Sequence, residues 1–370
     1  MTALSEISTP AFVVDRAIAK ANCDRMRAKA QMAGVTFRPH VKTHKTLEGA
    51  RLQHGGPKGP ITVSTLAEAE FFAEAGFDDI TWAVPVAPSK LERALGIARK
   101  SRLILLVDHP DAFAALEEFA ASHDASFDVM LKVDCGYHRA GVDPDARSSV
   151  ELALSIARSN RLRLHGLLTH AGHSYHARDV DEIVAIANEE RDAVARLGAV
   201  LADEGVHDLV CSVGSTPTMS VAPIGGVGEI RPGNYIFYDA FQAAIGSCRL
   251  SDCAAFVVAT VIGVHDERGE CIVDAGALAL SKDAGPVHVD PETGYGVVCT
   301  LDGAPLPARL VSLSQEHGIV RWRGTNARPR IGDRVRIVPN HSCLTAALYG
   351  SYLVLDEGAI VEEWHPCRGW

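Results

Sequence analysis

Eight short apolar runs, separated by amphipathic stretches, follow one another between Val35 and Phe237 and constrain the fold more than any other feature. The runs cover 35–41, 61–64, 80–84, 103–107, 129–133, 164–169, 209–213 and 230–237. Stretches between them, such as 110–122 and 180–203, have the apolar spacing of helices. Eight strands alternating with helices indicate a (β/α)8 TIM-type barrel. A doubly wound open sheet is the competing arrangement, but no G-x-G-x-x-G motif follows the first predicted strand.

The pattern changes after Gly246, where short β-rich runs are separated by Gly, Pro and Asp turns. This pattern is typical of a compact all-β domain. We therefore predict a barrel over residues 10–243 and a C-terminal β domain over residues 244–370. Residues 1–15 contain an early strand, Ala11–Asp15, that is a candidate to join the β domain.

Composition narrows the class of partner and the compartment. The net charge of -10 argues against nucleic acid or an anionic membrane, since either needs a basic face. No apolar run approaches the length of a membrane span, and the N-terminus lacks the pattern of a signal peptide. The nine cysteines are odd in number and contain no C-x-x-C pair, which favours a reducing cytoplasm over a disulfide framework. We expect a cytoplasmic protein that acts on small molecules.

The segment from Phe37 to Lys45 contains the strongest chemical signal. An apolar-flanked run reaches Lys42 and then breaks into polar residues, which places an ammonium group at the C-terminal end of the first barrel strand. Chemistry in such barrels occurs at that end. A partly desolvated lysine there has a lowered pKa and a free amine able to form a Schiff base. An ordinary surface lysine in a βα loop is the competing interpretation.

Later strand ends add polar groups of the kinds that bind cofactors. They are the segments 134–141, 169–175, 214–218 and 231–235. Glycine and hydroxyl residues after the seventh and eighth strands lie where barrels bind phosphate, although Gly214–Ser215–Thr216 also fits a helix cap without a ligand. Beside a Schiff-base lysine, a phosphate site suggests pyridoxal phosphate.

Four of these segments together carry a family resemblance. They are Pro39–Lys45, Tyr137–Gly141, Gly214–Thr218 and Arg231–Tyr235. The chain resembles the alanine-racemase-fold pyridoxal phosphate enzymes and, within them, the D-serine dehydratase/D-threonine aldolase family, closest to the eukaryotic-type D-serine dehydratases. The resemblance covers nearly the whole chain.

The resemblance implies a role for each matching residue. Lys42 is the Schiff-base lysine and the base that moves the α-proton. Arg139 contacts the 3-hydroxyl of the cofactor, and His170 packs on its ring. Tyr175 and Arg231 are both candidates for the ring nitrogen, and the sequence does not decide between them. The residues implied to hold the phosphate are Gly214, Ser215, Thr216, Gly233 and Asn234.

A late motif, Pro339–Asn340–His341–Ser342–Cys343, offers metal ligands. His341 and Cys343 are two residues apart, so a local bend can direct both at one point, and imidazole with thiolate is a good pair for zinc. A half-buried histidine beside a buried cysteine is the alternative. In the resembling proteins, His with Cys is typical of dehydratases, whereas aldolases tend to carry Asp in place of the Cys.

The resemblance therefore implies a pyridoxal phosphate- and zinc-dependent dehydratase. Such an enzyme converts D-serine or a related D-β-hydroxy amino acid to a 2-oxo acid and ammonia. The resemblance also implies a homodimer. The first alternative is a D-threonine or 3-hydroxy-D-aspartate aldolase that cleaves Cα–Cβ. The second is a non-catalytic pyridoxal phosphate-binding barrel, which would lack the β domain and the H-x-C motif. Elsewhere, the charged segment Glu189–Asp192 is expected to be a solvated helix face.

Overall fold

The computed structural model describes residues 2–323 and 329–370. The chain divides into two compact units. The β unit comprises Met1–Cys23 and Asn234–Pro366, and the barrel unit comprises Asp24–Gly233 and Cys367–Trp370. This division lies between Gly233 and Asn234, earlier in the chain than the boundary at 243/244 expected from the sequence.

The barrel unit alternates strands and helices. With elements numbered along the whole chain, its strands are β3 (Thr36–Phe37), β4 (Ile61–Val63), β5 (Asp79–Pro85), β6 (Arg102–Val107), β7 (Phe127–Lys132), β8 (Leu162–Leu168), β9 (Val210–Val213) and β10 (Glu229–Ile230). Its helices are α2 (Leu47–His54), α3 (Leu66–Glu74), α4 (Leu91–Ala98), α5 (Pro110–Ser122), α6 (Arg147–Arg158), α7 (Val180–Asp203) and α8 (Thr216–Val221), and α1 (Arg16–Ala33) contains the division at Cys23.

The eight parallel strands form a closed barrel. Their order is β3-β10-β9-β8-β7-β6-β5-β4, and the two ends of this order are joined by a bridge between His40 and Thr62. The Thr62 N–H donates to the Pro39 carbonyl at 2.9 Å across this seam. Strand β6 shows why the runs are continuously apolar, since Leu103–Val107 is buried throughout, as expected when parallel strands are covered on both faces. The predicted (β/α)8 barrel is confirmed.

The first and eighth strands are shorter than predicted. Only Thr36–Phe37 and Glu229–Ile230 form ladder pairs, whereas the predicted runs extended to Val41 and Phe237. Both runs contain a proline, Pro39 or Pro232, which has no N–H for a ladder. After each proline the chain turns into a 3-10 helix, at Val41–Thr43 and Asn234–Ile236 respectively. The extension of these strands was a wrong prediction, and the turns that replace it carry candidate site residues.

The β unit is one antiparallel-rich sheet with short helices. Its strands are β1 (Thr2–Ala3), β2 (Ala11–Asp15), β11 (Ala255–His265), β12 (Glu270–Val273), β13 (Gly296–Cys299), β14 (Pro305–Leu313), β15 (Gly318–Trp322), β16 (Arg334–Pro339), β17 (Tyr352–Asp356) and β18 (Ala359–Trp364). Its helices are α9 (Ala240–Ala244), α10 (Ala277–Leu280) and α11 (Ser342–Ala347).

Long strand β11 organises this unit. It pairs with β12, β16 and β2, and the order β11-β12-β15-β14-β13-β16 closes back on β11 as a small barrel. Strand β2 joins this sheet, antiparallel to β11 and parallel to β17. The rings of Phe12, Phe237 and Tyr352 pack together, with centroids 6.1 Å apart for Phe12–Phe237 and 4.9 Å for Phe12–Tyr352. Among the described residues, no helix is both long enough and apolar enough to span a bilayer.

Candidate functional site

Lys42 lies in the 3-10 turn that follows β3. The His40 ring caps this turn, and its Nδ1 accepts a hydrogen bond from the Lys42 N–H at 3.4 Å. The neighbouring Lys45 is held differently, because its ammonium pairs with the fully buried carboxylate of Glu68 at 3.0 Å. The local fold therefore separates the two lysines of the motif, with Lys42 on the capped turn at the carboxyl end of the barrel and Lys45 in an ion pair.

Charges and imidazoles converge at this end of the barrel. The pKa of His170 lies well below its ordinary value because of burial first, and then because of the positive charges of Lys42, Lys132 and Arg139. Its Nδ1 donates to the Gly214 carbonyl at 3.1 Å, which fixes a neutral ring with Nε2 unprotonated. Lys42 and Arg139 thus lie close enough to His170 for their charges to act on its ring.

His40 belongs to the same group of charges. Burial lowers its pKa well below the ordinary value, and the charges of Lys42 and Arg231 lower it further. The sequence analysis contained His40 only as part of the lysine motif and gave it no role. Its capping contact identifies it as a neutral group that orients the Lys42 turn.

Arg231 is fixed inside the barrel by its neighbours. Its Nε donates to Ser212 Oγ at 2.6 Å, and its Nη2 donates to the carbonyls of Thr169 and Ser212, the latter at 3.2 Å. Ser212 Oγ in turn donates to Glu229 Oε1 at 2.7 Å. Burial lowers the pKa of Arg231, and Glu229 opposes that effect. These contacts hold the guanidinium in one orientation.

The turn after β9 is built tightly around Gly214. Gly214 has φ +128°, and an added Cβ would lie 3.0 Å from the backbone nitrogen of Arg231 and 3.2 Å from Met219 Cγ, so only glycine fits without a shift. Ser215 caps α8 through the Thr218 N–H, and its Oγ lies 2.8 Å from Ser174 Oγ. Because Ser174 precedes Tyr175, this contact joins the Tyr175 turn to the predicted phosphate segment.

Glu190 was missed by the sequence analysis. We expected Glu189–Asp192 to be solvated, but the Glu190 side chain is fully buried. Its Oε1 accepts from the N–H groups of Ala171 at 2.9 Å and Gly214 at 3.0 Å. The available signal was its position on the apolar stripe of α7, in register with buried Ile183 and Leu197. The expectation was wrong for Glu190 because helical periodicity, not local charge density, decides which residue faces inward.

Lys132 is another lysine at a strand end, and its side chain is buried. It closes β7, its Nζ donates to the Val133 carbonyl at 3.2 Å, and burial lowers its pKa to about 8. The positive charge of Arg231 is the next largest cause of this lowered pKa after burial. The available sequence signal was a lysine inside the predicted strand 129–133, one residue before that apolar run ends.

In the β unit, the late motif lies where β16 ends and α11 begins. Burial lowers the pKa of His341, but hydrogen bonds to Asp283 and Cys343 outweigh it and raise the pKa well above its ordinary value. His341 Nδ1 lies 3.2 Å from Asp283 Oδ2. The structure therefore brings His341 and Cys343 within hydrogen-bonding reach of each other, as their spacing predicted.

Asn234 lies with this motif. Its Nδ2 donates to Asp239 Oδ2 at 2.8 Å and to Ser342 Oγ at 2.8 Å, and it lies 3.6 Å from Cys343 Sγ. Asp239 Oδ2 also accepts from the Ser342 N–H at 3.1 Å. Asp239 is buried, and burial raises the pKa of its carboxyl group. Asp239 thus anchors Ser342, the residue between His341 and Cys343. The sequence did not indicate this role for Asp239.

Comparisons with known proteins first define the class. Residues 14–240 match the family described as alanine racemase, N-terminal domain, and residues 254–355 match the putative serine dehydratase domain. The alanine racemase of Clostridium difficile 630 shares the fold, with a TM-score of 0.70 at 14% identity over 97% of this chain and 99% of that one. The architecture is therefore the alanine racemase fold.

Closer relatives then define the family. The D-threo-3-hydroxyaspartate dehydratase of Delftia sp. HT23 is 38% identical over 99% of both sequences, and its solved structure has a TM-score of 0.94 over the full length of both chains. The D-serine dehydratase of Dictyostelium discoideum is 35% identical over 99% of this chain and 98% of its own. The D-threonine aldolase of Filomicrobium marinum has a TM-score of 0.84 at 27% identity, covering 99% of this chain and 97% of that one.

The chain belongs to the D-serine dehydratase family, which has the alanine racemase fold. The dehydratases and aldolases of this family are pyridoxal phosphate-dependent lyases. The resemblance inferred from the motifs is confirmed. The prediction of a lyase is also confirmed, since its dehydratase and aldolase relatives align over nearly the whole chain.

Proposed function

We propose that this enzyme removes water from D-serine or a related D-β-hydroxy amino acid to give a 2-oxo acid and ammonia, with pyridoxal phosphate and a divalent metal. The observation that carries the proposal is the pairing of His341 with Cys343, because a soft thiolate beside an imidazole suits zinc. The two dehydratase relatives, at 38% and 35% identity, support the same reaction.

The barrel unit fits the cofactor. An amine on a capped turn (Lys42), a neutral imidazole (His170) and the guanidinium groups of Arg139 and Arg231 lie at one end of the strands, and hydrogen bonds hold the Arg231 group in one orientation. Bound pyridoxal phosphate supplies an electron sink for the α-carbon. Lys42 would attach the cofactor and carry the α-proton. His170 would pack on the ring, and Arg139 would contact the 3-hydroxyl.

Two assignments within the cofactor site need further argument. Arg231 and Tyr175 both remain candidates for the ring nitrogen, and the fixed guanidinium favours Arg231 because its orientation is set before the cofactor binds. For the phosphate, the N–H groups of Gly214 and Ser215 already donate to Glu190 and to Thr218 Oγ1, at 3.0 and 3.1 Å. Gly214 would therefore contribute by lacking a side chain rather than by donating its N–H.

The remaining members of the predicted phosphate group differ in their surroundings. Thr216 is the first residue of α8. Gly233 lies so close to His40 that a Cβ added to Gly233 would be 2.9 Å from His40 Cβ. Asn234 directs its side-chain nitrogen to Asp239 and Ser342. We keep Thr216 and Gly233 as phosphate residues and assign the Asn234 side chain to the metal motif.

The β unit fits a weakly held metal. No group of three or more His, Cys, Asp or Glu side chains placed to hold an ion occurs in the described part of the chain, so His341 and Cys343 would act as two ligands with other positions left for water or substrate. A cysteine-to-alanine mutant of a D-threo-3-hydroxyaspartate dehydratase, 38% identical to this chain, was solved in the metal-free form. A histidine-to-alanine mutant has its change two residues away, the spacing of His341 and Cys343. The metal would act as a Lewis acid on the β-hydroxyl.

Aldol cleavage is the second candidate. The D-threonine aldolase of Arthrobacter sp. is 28% identical over 99% of this chain and 94% of its own, so the same scaffold supports both reactions. Cys343 favours dehydration, because the family pattern places Asp there in aldolases.

Oligomeric state and compartment are further parts of the proposal. Three leucines on the last two helices are exposed to solvent: Leu278 on α10 (51% exposed), Leu344 on α11 (45%) and Leu348 just after α11 (43%). A second copy of the chain would cover these apolar side chains. We propose a homodimer on that basis. None of the nine cysteines, all of which lie in the described part of the chain, forms a disulfide bond, which supports a cytoplasmic location.

Product analysis tests the reaction directly. The protein is incubated separately with D-serine, D-threonine and D-threo-3-hydroxyaspartate, and the Lys42→Ala variant serves as the blank. We expect stoichiometric 2-oxo acid and ammonia from at least one substrate. Glycine with acetaldehyde or glyoxylate, and no ammonia, would establish the aldolase instead.

Replacing Cys343 tests the residue on which the choice between reactions rests. We expect Cys343→Asp to lower D-serine dehydration by roughly tenfold, part of the several kcal/mol that a Lewis acid supplies, because a carboxylate is a harder ligand for zinc. Cys343→Ser, which removes the ionisable ligand, is expected to lose more. Steady-state rates with saturating zinc measure both. An unchanged rate in Cys343→Ser would exclude the thiolate from the reaction.

A further inference from the structure

We propose that Asp283 is a positioning residue for the metal, acting through His341 by fixing which imidazole nitrogen is free to bind. This inference rests on the proposed function, since it concerns the same two-ligand site. Asp283 matched no motif in the sequence and lies far from the H-x-C pair along the chain.

The contact between Asp283 and His341 decides which imidazole nitrogen carries the proton. Asp283 Oδ2 lies 3.2 Å from His341 Nδ1. An ionised carboxylate only accepts hydrogen bonds, so Nδ1 carries the proton. When the ring is neutral, its lone pair is then on Nε2, and Nε2 becomes the metal-binding nitrogen. A carboxylate behind a metal-bound histidine also makes the imidazole a stronger donor and holds the ring plane.

The Asp283 carboxylate is itself held in place. Its Oδ1 accepts from the Gly285 N–H at 2.8 Å. The Asn340 side chain, next to His341, donates from Nδ2 to the carbonyls of Asp283 at 3.0 Å and Gly294 at 2.9 Å. Gly285 has φ +70°, and an added Cβ would lie 2.5 Å from Asn340 Nδ2, so the turn closes directly on that amide.

Cys343, the second proposed metal ligand, has different neighbours from His341. Cys343 lies across the same motif, with the Asn234 amide at 3.6 Å from its sulfur and Asp239 holding the intervening Ser342 N–H. Each ligand therefore has its own supporting partner, Asp283 for His341 and Asn234 for Cys343. Removing Asp283 should leave the thiolate side of the site intact while freeing the imidazole to rotate and change tautomer.

Metal affinity measured without turnover tests the proposal. Cobalt(II) is titrated into metal-stripped, cofactor-loaded protein, and the near-ultraviolet thiolate-to-cobalt absorption reports metal at Cys343. We expect Asp283→Ala to weaken binding about 10- to 100-fold, the usual cost of losing such a partner. Asp283→Asn keeps an acceptor without the charge and is expected to lose less. The visible cofactor band should be unchanged in both variants.

Asp290→Asn is the matched control. It removes the same charge from the same segment, where Asp290 pairs with Arg309 at 3.3 Å, and it should bind cobalt as the unmodified protein does. Equal affinity in Asp283→Ala and the unmodified protein would overturn the role of Asp283 alone. Absence of the thiolate–cobalt band in the unmodified protein would overturn both this role and the metal part of the proposed function. A loss as large in Asp290→Asn would show a general charge effect and would also overturn the inference.

Discussion

Replacing Lys42 with alanine is expected to remove the visible absorption of the protein-bound cofactor and to lower activity by at least about 10³-fold. The lysine would serve both as the attachment point and as the base, and a general base alone contributes typically about 10²–10⁴-fold. Absorbance of the purified protein and single-turnover assays with D-serine measure the two effects separately. Full activity in Lys42→Ala would contradict the assignment.

The structure supplies two rival lysines for this test. Lys45 is held by Glu68 at 3.0 Å, and Lys132 has a pKa of about 8, low enough for a partly neutral amine at physiological pH. Borohydride reduction followed by peptide mass mapping locates the adduct directly. We expect it on Lys42, and we expect Lys45→Gln to retain the band. An adduct on Lys45 or Lys132 would show that the wrong lysine was chosen.

Removing the metal is expected to divide substrates by their leaving group. Chelation should lower elimination from D-serine by about 10²-fold or more, since hydroxide leaves poorly without a Lewis acid that supplies several kcal/mol. It should spare β-chloro-D-alanine, because chloride leaves without help. Parallel rate measurements on both substrates, with the cofactor band monitored throughout, make the comparison within one sample.

The outcomes of chelation separate three roles for the metal. Equal loss on both substrates would mean that the metal maintains the structure, and no loss on either would remove it from the reaction. Restoration by added zinc is the control for chelator damage. Because Asp283 and Cys343 raise the pKa of His341, protons compete with metal there, and stripping should become easier as the pH falls.

Local sequence patterns predicted the barrel because the spacing of apolar residues within each strand and helix reflects which of its faces are buried. Runs such as 103–107 are continuously apolar since parallel strands are covered on both faces, and the observed β6, Arg102–Val107, agrees closely. The Lys42 motif was equally readable, since a strand end and a lysine are adjacent in the chain. The limits of the first and eighth strands were not predicted, because Pro39 and Pro232 stop the ladder before the apolar run ends.

The supporting residues were beyond the reach of the sequence for a different reason. Glu190 lies in a charged segment and resembles a surface residue, yet its carboxylate binds the N–H groups of Ala171 and Gly214. Asp283 is one acidic residue among many until the structure places it against His341. Such roles depend on contacts between segments that are distant in the chain, and the residues adjacent in sequence do not indicate these contacts.

The sequence by itself determined the eight-fold alternation, the change to a β-rich second half, the position of the Lys42 motif and the H-x-C pair. Each of these is written in residues that are adjacent or regularly spaced. Only the tertiary structure decided that the Gly214 N–H is occupied by Glu190, that Asn234 lies with Cys343, and that Asp283 holds His341. Hydrogen bonds across many residues are set by how the whole chain packs, because a buried polar group takes whichever partner the fold brings within reach.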